Sequence, residues 1–414
     1  MTTRERGGLL RSRDFRLLWT GETTSVLGSS IAVVALPLVA VVTLQASTFA
    51  VGLLTAAAWL PWLLIGLPAG AWVDRRPKRP VMLLCNGISM LVFLSVPVAA
   101  WAGLLTMTQL IVVALAGGVA KVFFNVAYRA YLPSLVEKDQ LQEANEKLQG
   151  SESAAQIGGP GLAGLLAQGF GAVAGVLADA ISFGISALCL RSIRHREPER
   201  PVKPRSRLRD EIRDGLAFVV HDPYLRVLAV FGAISNVALM GYQSIEVVFL
   251  VRDLGVGAGT AGLVLALVGA GGIFGAALSG KLAVRIGTAR AFVFSEGAGA
   301  LMMLLGPLAR DGWGLAFFVV AGFSLSAGVV GSNVLNATFK QRYVPAAMFG
   351  RVTASMSVLS LGAIALGGLL GGILGETAGV RQTLGLMAGL EVVAVFALLF
   401  TPIGRCRDFP SDRD

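Results

Sequence analysis

The chain has 414 residues, of which 55% are hydrophobic and only 14% charged, and its mean hydropathy is +0.71. A water-soluble globular protein carries about 25% charged residues, so these figures fit neither a soluble enzyme nor a disordered chain. The net charge of +10 is scattered over many short segments and forms no single patch, which argues against a nucleic-acid partner.

Apolar runs follow in chain order at roughly residues 16–43, 48–73, 80–101, 107–132, 146–169, 172–191, 224–250, 259–284, 290–309, 313–338, 352–374 and 380–403. Each is long enough, at about 1.5 Å per residue, to cross about 30 Å of hydrocarbon as a helix. The expectation is an all-α membrane protein with twelve transmembrane helices in two six-helix, pseudo-symmetric bundles. The first run is too long for a cleaved signal peptide and has no small-residue cleavage site. High glycine content (52 residues) suits closely approaching membrane helices.

Charge gives the orientation. With residue 1 inside, the inner segments hold Arg4, Arg6, Arg11, Arg13 and Arg16, then Arg75, Arg76, Lys78 and Arg79, and later Lys281, Arg285, Arg290, Lys340, Arg342 and Arg351. The outer segments hold Arg252, Arg310 and Arg381. By the positive-inside rule both termini are expected in the cytoplasm, in a multi-pass protein of the inner (cytoplasmic) membrane, with anionic lipid as a partner of the basic loops.

The hydrophilic stretch begins with the Pro- and Arg-rich HREPERPVKPRSR and continues as Leu208, Ile212, Leu216 and Val219 at helical spacing. It reads as a flexible linker followed by an amphipathic helix on the inner leaflet. The expected organisation is an N-terminal bundle over 1–191, a linker with an amphipathic helix over 192–222, and a C-terminal bundle over 223–414. The halves echo each other: Gly70 to Arg79 against Gly280 to Arg290, and Tyr131-Leu132-Pro133 against Tyr343-Val344-Pro345. Symmetry at half the chain length is a sign of a transporter built from two bundles.

No enzyme chemistry is legible. Cys85, Cys189 and Cys406 form no CxxC pair, and His195 and His221 lie together in the hydrophilic stretch, so no metal site is expected. GxSxG, Walker A and HExxH sequences are absent, so no catalytic residue and no cofactor is expected, and energy must come from an ion or substrate gradient.

With these motifs the chain resembles major facilitator superfamily transporters over about residues 10–405. Gly70 to Arg79 is similar to the loop between the second and third helices of that superfamily. Gly158-Gly159-Pro160-Gly161-Leu162-Ala163-Gly164 resembles the Gly-Pro motif of its antiporters. RDFRLLW at 13–19, LPSLV at 132–136, AN at 144–145 and ADAISF at 178–183 are similar to the macrolide-efflux and enterobactin-exporter branch, which implies export. The superfamily's fourth-helix Arg falls at Val113 and is absent; Lys121 lies one turn beyond Gly117 instead, and Val284 stands where the first half has Asp74. The resemblance also implies that runs one, four, seven and ten line a central cavity.

Polar stripes on those runs support that ordering. They are Glu22, Ser25 and Ser29; Lys121, Asn125 and Tyr128; Asn236, Gln243 and Glu246; and Asn333, Asn336 and Lys340. A charge at mid-bilayer costs at least about 2.5 kcal/mol, so such groups should face water, protein or each other. Glu22 and Lys121 are expected to face one cavity, either as an ion pair that a proton or cationic substrate breaks, or as a salt bridge locking the N-terminal bundle. Trp19, Phe123, Phe124 and Tyr242 are candidates for stacking on a ligand. Asp179 reads as an intramembrane acid making a polar contact or carrying a proton. Glu391 reads as a bundle-interior or neutral group, and Glu152 and Glu296 as groups near inner ends that reach interfacial water. Gly70, Asp74, Arg75 and Arg79 are expected to form a cytoplasmic gate, with Asp74 against the helix start near Gly350 and Arg351; simple charge anchoring is the alternative. Gly158, Gly159, Pro160 and Gly164 allow close helix approach and a bend, either for packing or to limit ion leak.

The resulting expectation is a monomeric secondary exporter of small amphipathic compounds (a drug, a macrolide-like antibiotic or a siderophore) by alternating access and proton antiport. A proton-coupled importer of a polar metabolite and a non-transporting sensor or assembly factor are the alternatives.

Overall fold

The computed structural model describes residues 9–195, 197 and 208–410. Arg4, Arg6 and most of the Pro- and Arg-rich stretch therefore lie outside the described residues. Helices α1 (Arg13–Leu38), α2 (Thr48–Asp74), α3 (Lys78–Trp101), α4 (Met107–Leu135), α5 (Leu141–Phe170) and α6 (Val173–Ser192) make the first half. After α7 (Leu208–His221), the second half comprises α8 (Pro223–Val248), α9 (Ala258–Ile286), α10 (Thr288–Met303), α11 (Leu315–Tyr343), α12 (Ala346–Thr377) and α13 (Val380–Leu398), with a final short α14 (Pro402–Arg405). Among the described residues 11 helices are long and apolar enough to cross a membrane. The twelfth expected span, α5, has 30 residues but carries Glu143, Asn145, Glu146, Lys147 and Glu152 in its first half, which lowers its hydropathy without shortening it. The chain is an all-α membrane protein: in hydrocarbon the backbone must satisfy itself within each helix.

Local signals set the ends. Ser12, Ser47 and Thr106 accept the N–H of Phe15, Ala50 and Gln109 and so start α1, α2 and α4. Gly287 and Gly379, with φ of 97° and 95°, adopt a conformation closed to most side chains and separate α9 from α10 and α12 from α13.

The two halves repeat the same neighbour pattern. In the first, α1 packs on α5 and α6, α2 on α4, and α3 on α4 and α6; in the second, α8 packs on α12 and α13, α9 on α11, and α10 on α11 and α13. A finer repeat, unseen in the sequence, ends the first helix of each half. Val39–Thr43 and Phe249–Asp253 are both π-helical turns, followed by left-handed residues Gln45 (φ 49°) and Gly255 (φ 68°).

The bundles meet through two symmetry-related contacts, α2 with α12 and α5 with α9. Both are tightest at the end remote from the chain termini, here the far end. A methyl group on Gly52 would come 2.7 Å from the Gly368 oxygen, and one on Gly164 would come 2.7 Å from Gly262 Cα. One apolar cluster there draws on both bundles, including Leu38, Val41, Phe249 and Leu250. Two polar contacts also cross: Arg252 Nη2 donates to the Ala46 oxygen at 2.7 Å, and the Phe49 N–H donates to Glu376 Oε2 at 3.2 Å. At the termini end the two buried clusters each stay within one half and its attached segments. Gly66 and Gly70 of α2 have open space where a Cβ would stand. The bundles are thus joined at the far end and apart at the other.

Helix α7 (Leu208–His221) forms where the spacing placed a helix. Val219 is buried while Leu216 is exposed. Gly215 makes the closest approach, against Arg351 and Ser355 of α12, and Asp214 pairs with Arg351 at 3.4 Å. Asp222 then caps α8 through the N–H groups of Tyr224 and Leu225, both at 3.0 Å, and accepts the Tyr343 hydroxyl at 2.8 Å. The helix is fastened to the second half, and the side chains of Leu208 and Ile212 lie outside the described residues.

Candidate transport cavity

A cavity of about 1030 Å³ lies in the first half, walled by α1, α3, α4 and α5 with Phe183 of α6. It runs from Val33 and Phe183 to Asn145 and Glu146 near the start of α5, at the termini end. From α1 it takes Glu22, Ser25 and Ser29, and from α4 Lys121, Asn125 and Tyr128, the two stripes read from spacing. The Asn125 amide turns back onto the Lys121 carbonyl of its own helix at 3.0 Å.

Two walls were not foreseen. On α5, Asn145, Gln149, Glu152, Ser153 and Gln156 line the cavity at intervals of three and four, a periodic signal that was available in the sequence. On α3, Asn86 and Ser89 do so, with Asn86 held by a 2.9 Å bond to Ser186 Oγ. Of the aromatic candidates, Phe124 lines the cavity. Trp19 instead donates to Ser151 Oγ at 3.0 Å, Phe123 lies edge-on to Trp72, and Tyr242 is buried against Phe318.

Glu22 and Lys121 share the cavity but make no ion pair within 4.0 Å, and Glu22 Oε2 is buried without a hydrogen-bond partner. Asp179 is buried between α6 and α1; Ser182 Oγ donates to its Oδ1 at 3.2 Å, while Oδ2 has no partner. A methyl group on Gly28 would come 2.7 Å from that Oδ1, so the glycine makes room for the acid.

The second-half stripe residues do not line this cavity. Asn236 donates to Gly232 of its own helix at 2.6 Å. Gln243 and Asn333 are exposed, Glu246 and Asn336 half-buried, and Asn336 Oδ1 has no partner. Glu296 corrects the sequence reading: its side chain does not reach solvent but is buried and accepts a hydrogen bond from Ser332 of α11. Glu391 is also buried and accepts Ser235 Oγ at 2.8 Å.

The Gly70 to Arg79 segment divides by task. Lys78 Nζ bonds the carbonyls of Val73 (2.9 Å), Asp74 (3.1 Å) and Arg76 (2.6 Å), closing the end of α2. Arg79 bonds the Leu190 and Arg191 carbonyls at 2.9 and 2.7 Å, closing α6. The N–H groups of Lys78 and Arg79 are capped by Glu197. Arg76 lies over Trp72, and Arg75 is exposed. Among the glycines of α5, Gly159 abuts α1 at Ser30, and Gly161 and Gly164 abut α9, while Gly158 faces open space; the Pro160 carbonyl faces Gly262.

Comparison with known proteins agrees with this architecture. The family model described as transmembrane secretion effector matches residues 8–411. The chain is 28% identical over 412 residues to the multidrug efflux pump Tap of Mycolicibacterium fortuitum, covering 96% of this chain and 97% of that protein. It is 27% identical over 407 residues to the enterobactin exporter EntS of Citrobacter koseri, covering 95% and 93%, as the motifs led one to expect. A bacterial homologue of the iron transporter ferroportin shares the fold at 17% identity. Its inward-facing crystal structure superposes with a TM-score of 0.75, covering 95% of this chain and 99% of that one. Its outward-facing structure gives 0.59, covering 93% and 97%. The chain is a multi-pass membrane transporter and no enzyme: it belongs to the transmembrane secretion effector family of the major facilitator superfamily.

Proposed function

We propose that the chain exports small amphipathic compounds across the cytoplasmic membrane by alternating access, driven by inward proton flow. The observation that carries this reading is the cavity itself: charged and hydrogen-bonding side chains gathered at membrane depth, reaching the end where the two bundles stand apart. Such groups are costly in hydrocarbon and mark a substrate or ion path. Basic residues concentrate at that end, so by the positive-inside rule it is the cytoplasmic one, with both termini inside. The arrangement then loads substrate from the cytoplasm. The halves 1–191 and 223–414 act as the two moving units, in a monomer. Glu22 and Lys121 couple substrate to protons, Asp74 and its neighbours close the cytoplasmic side, and Asn236, Gln243, Glu246, Asn333 and Asn336 complete the path from the second half. The likeness to a multidrug efflux pump and to an enterobactin exporter supports export of drugs or a siderophore.

The test is energised efflux of a fluorescent amphipathic dye from cells with wild type, Glu22→Gln, Lys121→Ala or Asp74→Asn at matched membrane levels, with and without a proton uncoupler. Export predicts lower dye retention with wild type, abolished by uncoupler and by the variants. Dye accumulation driven by the same gradient favours the second reading, import of a polar metabolite, which the density of polar side chains in the cavity supports.

A further inference from the structure

The cavity charges are sorted by wall. The acids stand on α1 (Glu22) and α5 (Glu146, Glu152), the bases on α4 (Lys121, Arg129). Helices α1 and α5 pack closely on each other, whereas α1 and α4 barely touch, so the acidic wall faces the basic wall across the void. Among the described residues none of these five side chains forms an ion pair with another, although all line one cavity. Glu22 Oε2 lacks any hydrogen-bond partner. Opposite charges that face each other but are held apart leave a gap with a fixed field across it. A purely cationic guest satisfies one wall and leaves Lys121 and Arg129 uncompensated; a purely anionic guest does the reverse. A guest with both charges aligns its dipole with the field and completes both walls, and the void, about 1030 Å³, is at the upper end of the range of pockets that take drug-sized ligands, about 300–1,000 Å³.

We propose that this cavity selects zwitterionic compounds, placing a cationic group against Glu22 and Glu152 and a carboxylate or similar anion against Lys121 and Arg129. The proposal rests on reading the cavity as the substrate site, but not on the direction of transport.

A matched dye pair tests it. Rhodamine 110 carries a cationic xanthene and a free carboxylate; rhodamine 123 is its methyl ester, a cation of nearly the same shape. Binding of each to purified protein is read by fluorescence anisotropy. The zwitterion should bind roughly tenfold more tightly, the difference expected for one charge-assisted hydrogen bond. Lys121→Met combined with Arg129→Met should remove the preference by weakening rhodamine 110. Lys121→Arg should keep it. Glu22→Gln should weaken both dyes by a similar factor. Equal affinity for the two dyes, or a preference that survives loss of both bases, overturns the proposal. So does absence of binding by either dye to protein with an unaltered thermal melt. Flux in vesicles is scored separately: a zwitterion preference without outward transport sinks the export reading and leaves this one standing.

Discussion

Removing Arg252 should open the far end. In this structure its guanidinium reaches from the turn after α8 to the other bundle, donating to the Ala46 carbonyl at 2.7 Å and lying 3.5 Å from that of Val41. The left-handed conformation of Gln45 (φ 49°) shapes the turn that carries the Ala46 carbonyl. A hydrogen bond from a charged group contributes about 1.5–3 kcal/mol when buried. Arg252 is largely exposed, so solvent screening reduces this to about 1 kcal/mol. Arg252→Ala should therefore raise the ratio of far-end-open to far-end-closed molecules about fivefold, since tenfold corresponds to about 1.4 kcal/mol. Glu376 sits at the start of α2, where an anion contributes about 0.3–1 kcal/mol. Adding Glu376→Gln should bring the shift to about ten- to thirtyfold if the two contacts act independently. The assay is pulsed electron-electron spin resonance between labels at Leu104 and Trp313, exposed far-end positions on different bundles, after replacing the free cysteines Cys85, Cys189 and Cys406. Distance distributions unchanged within about twofold in the double variant would refute the latch.

Three further outcomes follow from the geometry. Gly262→Val forces a side chain into the α5–α9 contact, where even a methyl group would lie 2.6 Å from the Pro160 oxygen; overpacking of about 1–3 kcal/mol should appear as a lower melting temperature in detergent. Asp222→Ala removes two cap bonds to α8 and the Tyr343 contact and should destabilise by about 2–4 kcal/mol, whereas Asp222→Asn should retain most of the cap; thermal unfolding of both variants checks the order. Asp74→Asn should reduce transport far more than Arg76→Gln, because Arg76 lies over Trp72 in the last turn of the preceding helix α2; equal losses at matched membrane levels would return the segment to simple charge anchoring.

Hydropathy placed the helices because the bilayer imposes one length on every span, and that constraint acts on each segment alone. Spacing also found Glu22, Ser25, Ser29, Lys121 and Asn125, since one polar face on an apolar helix has few places to go. It missed the α5 wall for a compositional reason. The residues that line the cavity, Asn145 to Gln156, also make α5 the least apolar of the long helices, so they read as an inner-end segment. Periodicity names a polar face but not the neighbour that covers it. Asn86 and Asn333 look alike in sequence; one is buried at the α3–α6 contact beside the cavity, while the other is exposed. Glu296 illustrates the same limit: its partner, Ser332, lies on the next helix, and only packing brings them together.

On the proposed alternating-access reading, the places where the bundles touch let one contact set serve both ends of the cycle. The α2–α12 and α5–α9 seams are related by the repeat, and each is closest where glycines face each other: Gly52 with Gly368 and Gly372, Gly164 with Gly262. Backbones meeting without interlocked side chains have no ridges to unseat, so the helices can change crossing angle at little cost. The same end carries Arg252 and Glu376, which hold the closure by one part-buried and one solvent-exposed contact, each to a backbone group of the other bundle. Such contacts are worth about 1 kcal/mol each, enough to bias the state and weak enough to break in every turnover. A buried pair would cost several kcal/mol to separate and would trap the transporter in one state. Glycine seams with latches near the surface therefore suit the proposed cycle, in which the same contacts are released repeatedly, and the repeat supplies the two seams symmetrically while the charges proposed to read the substrate line the first half.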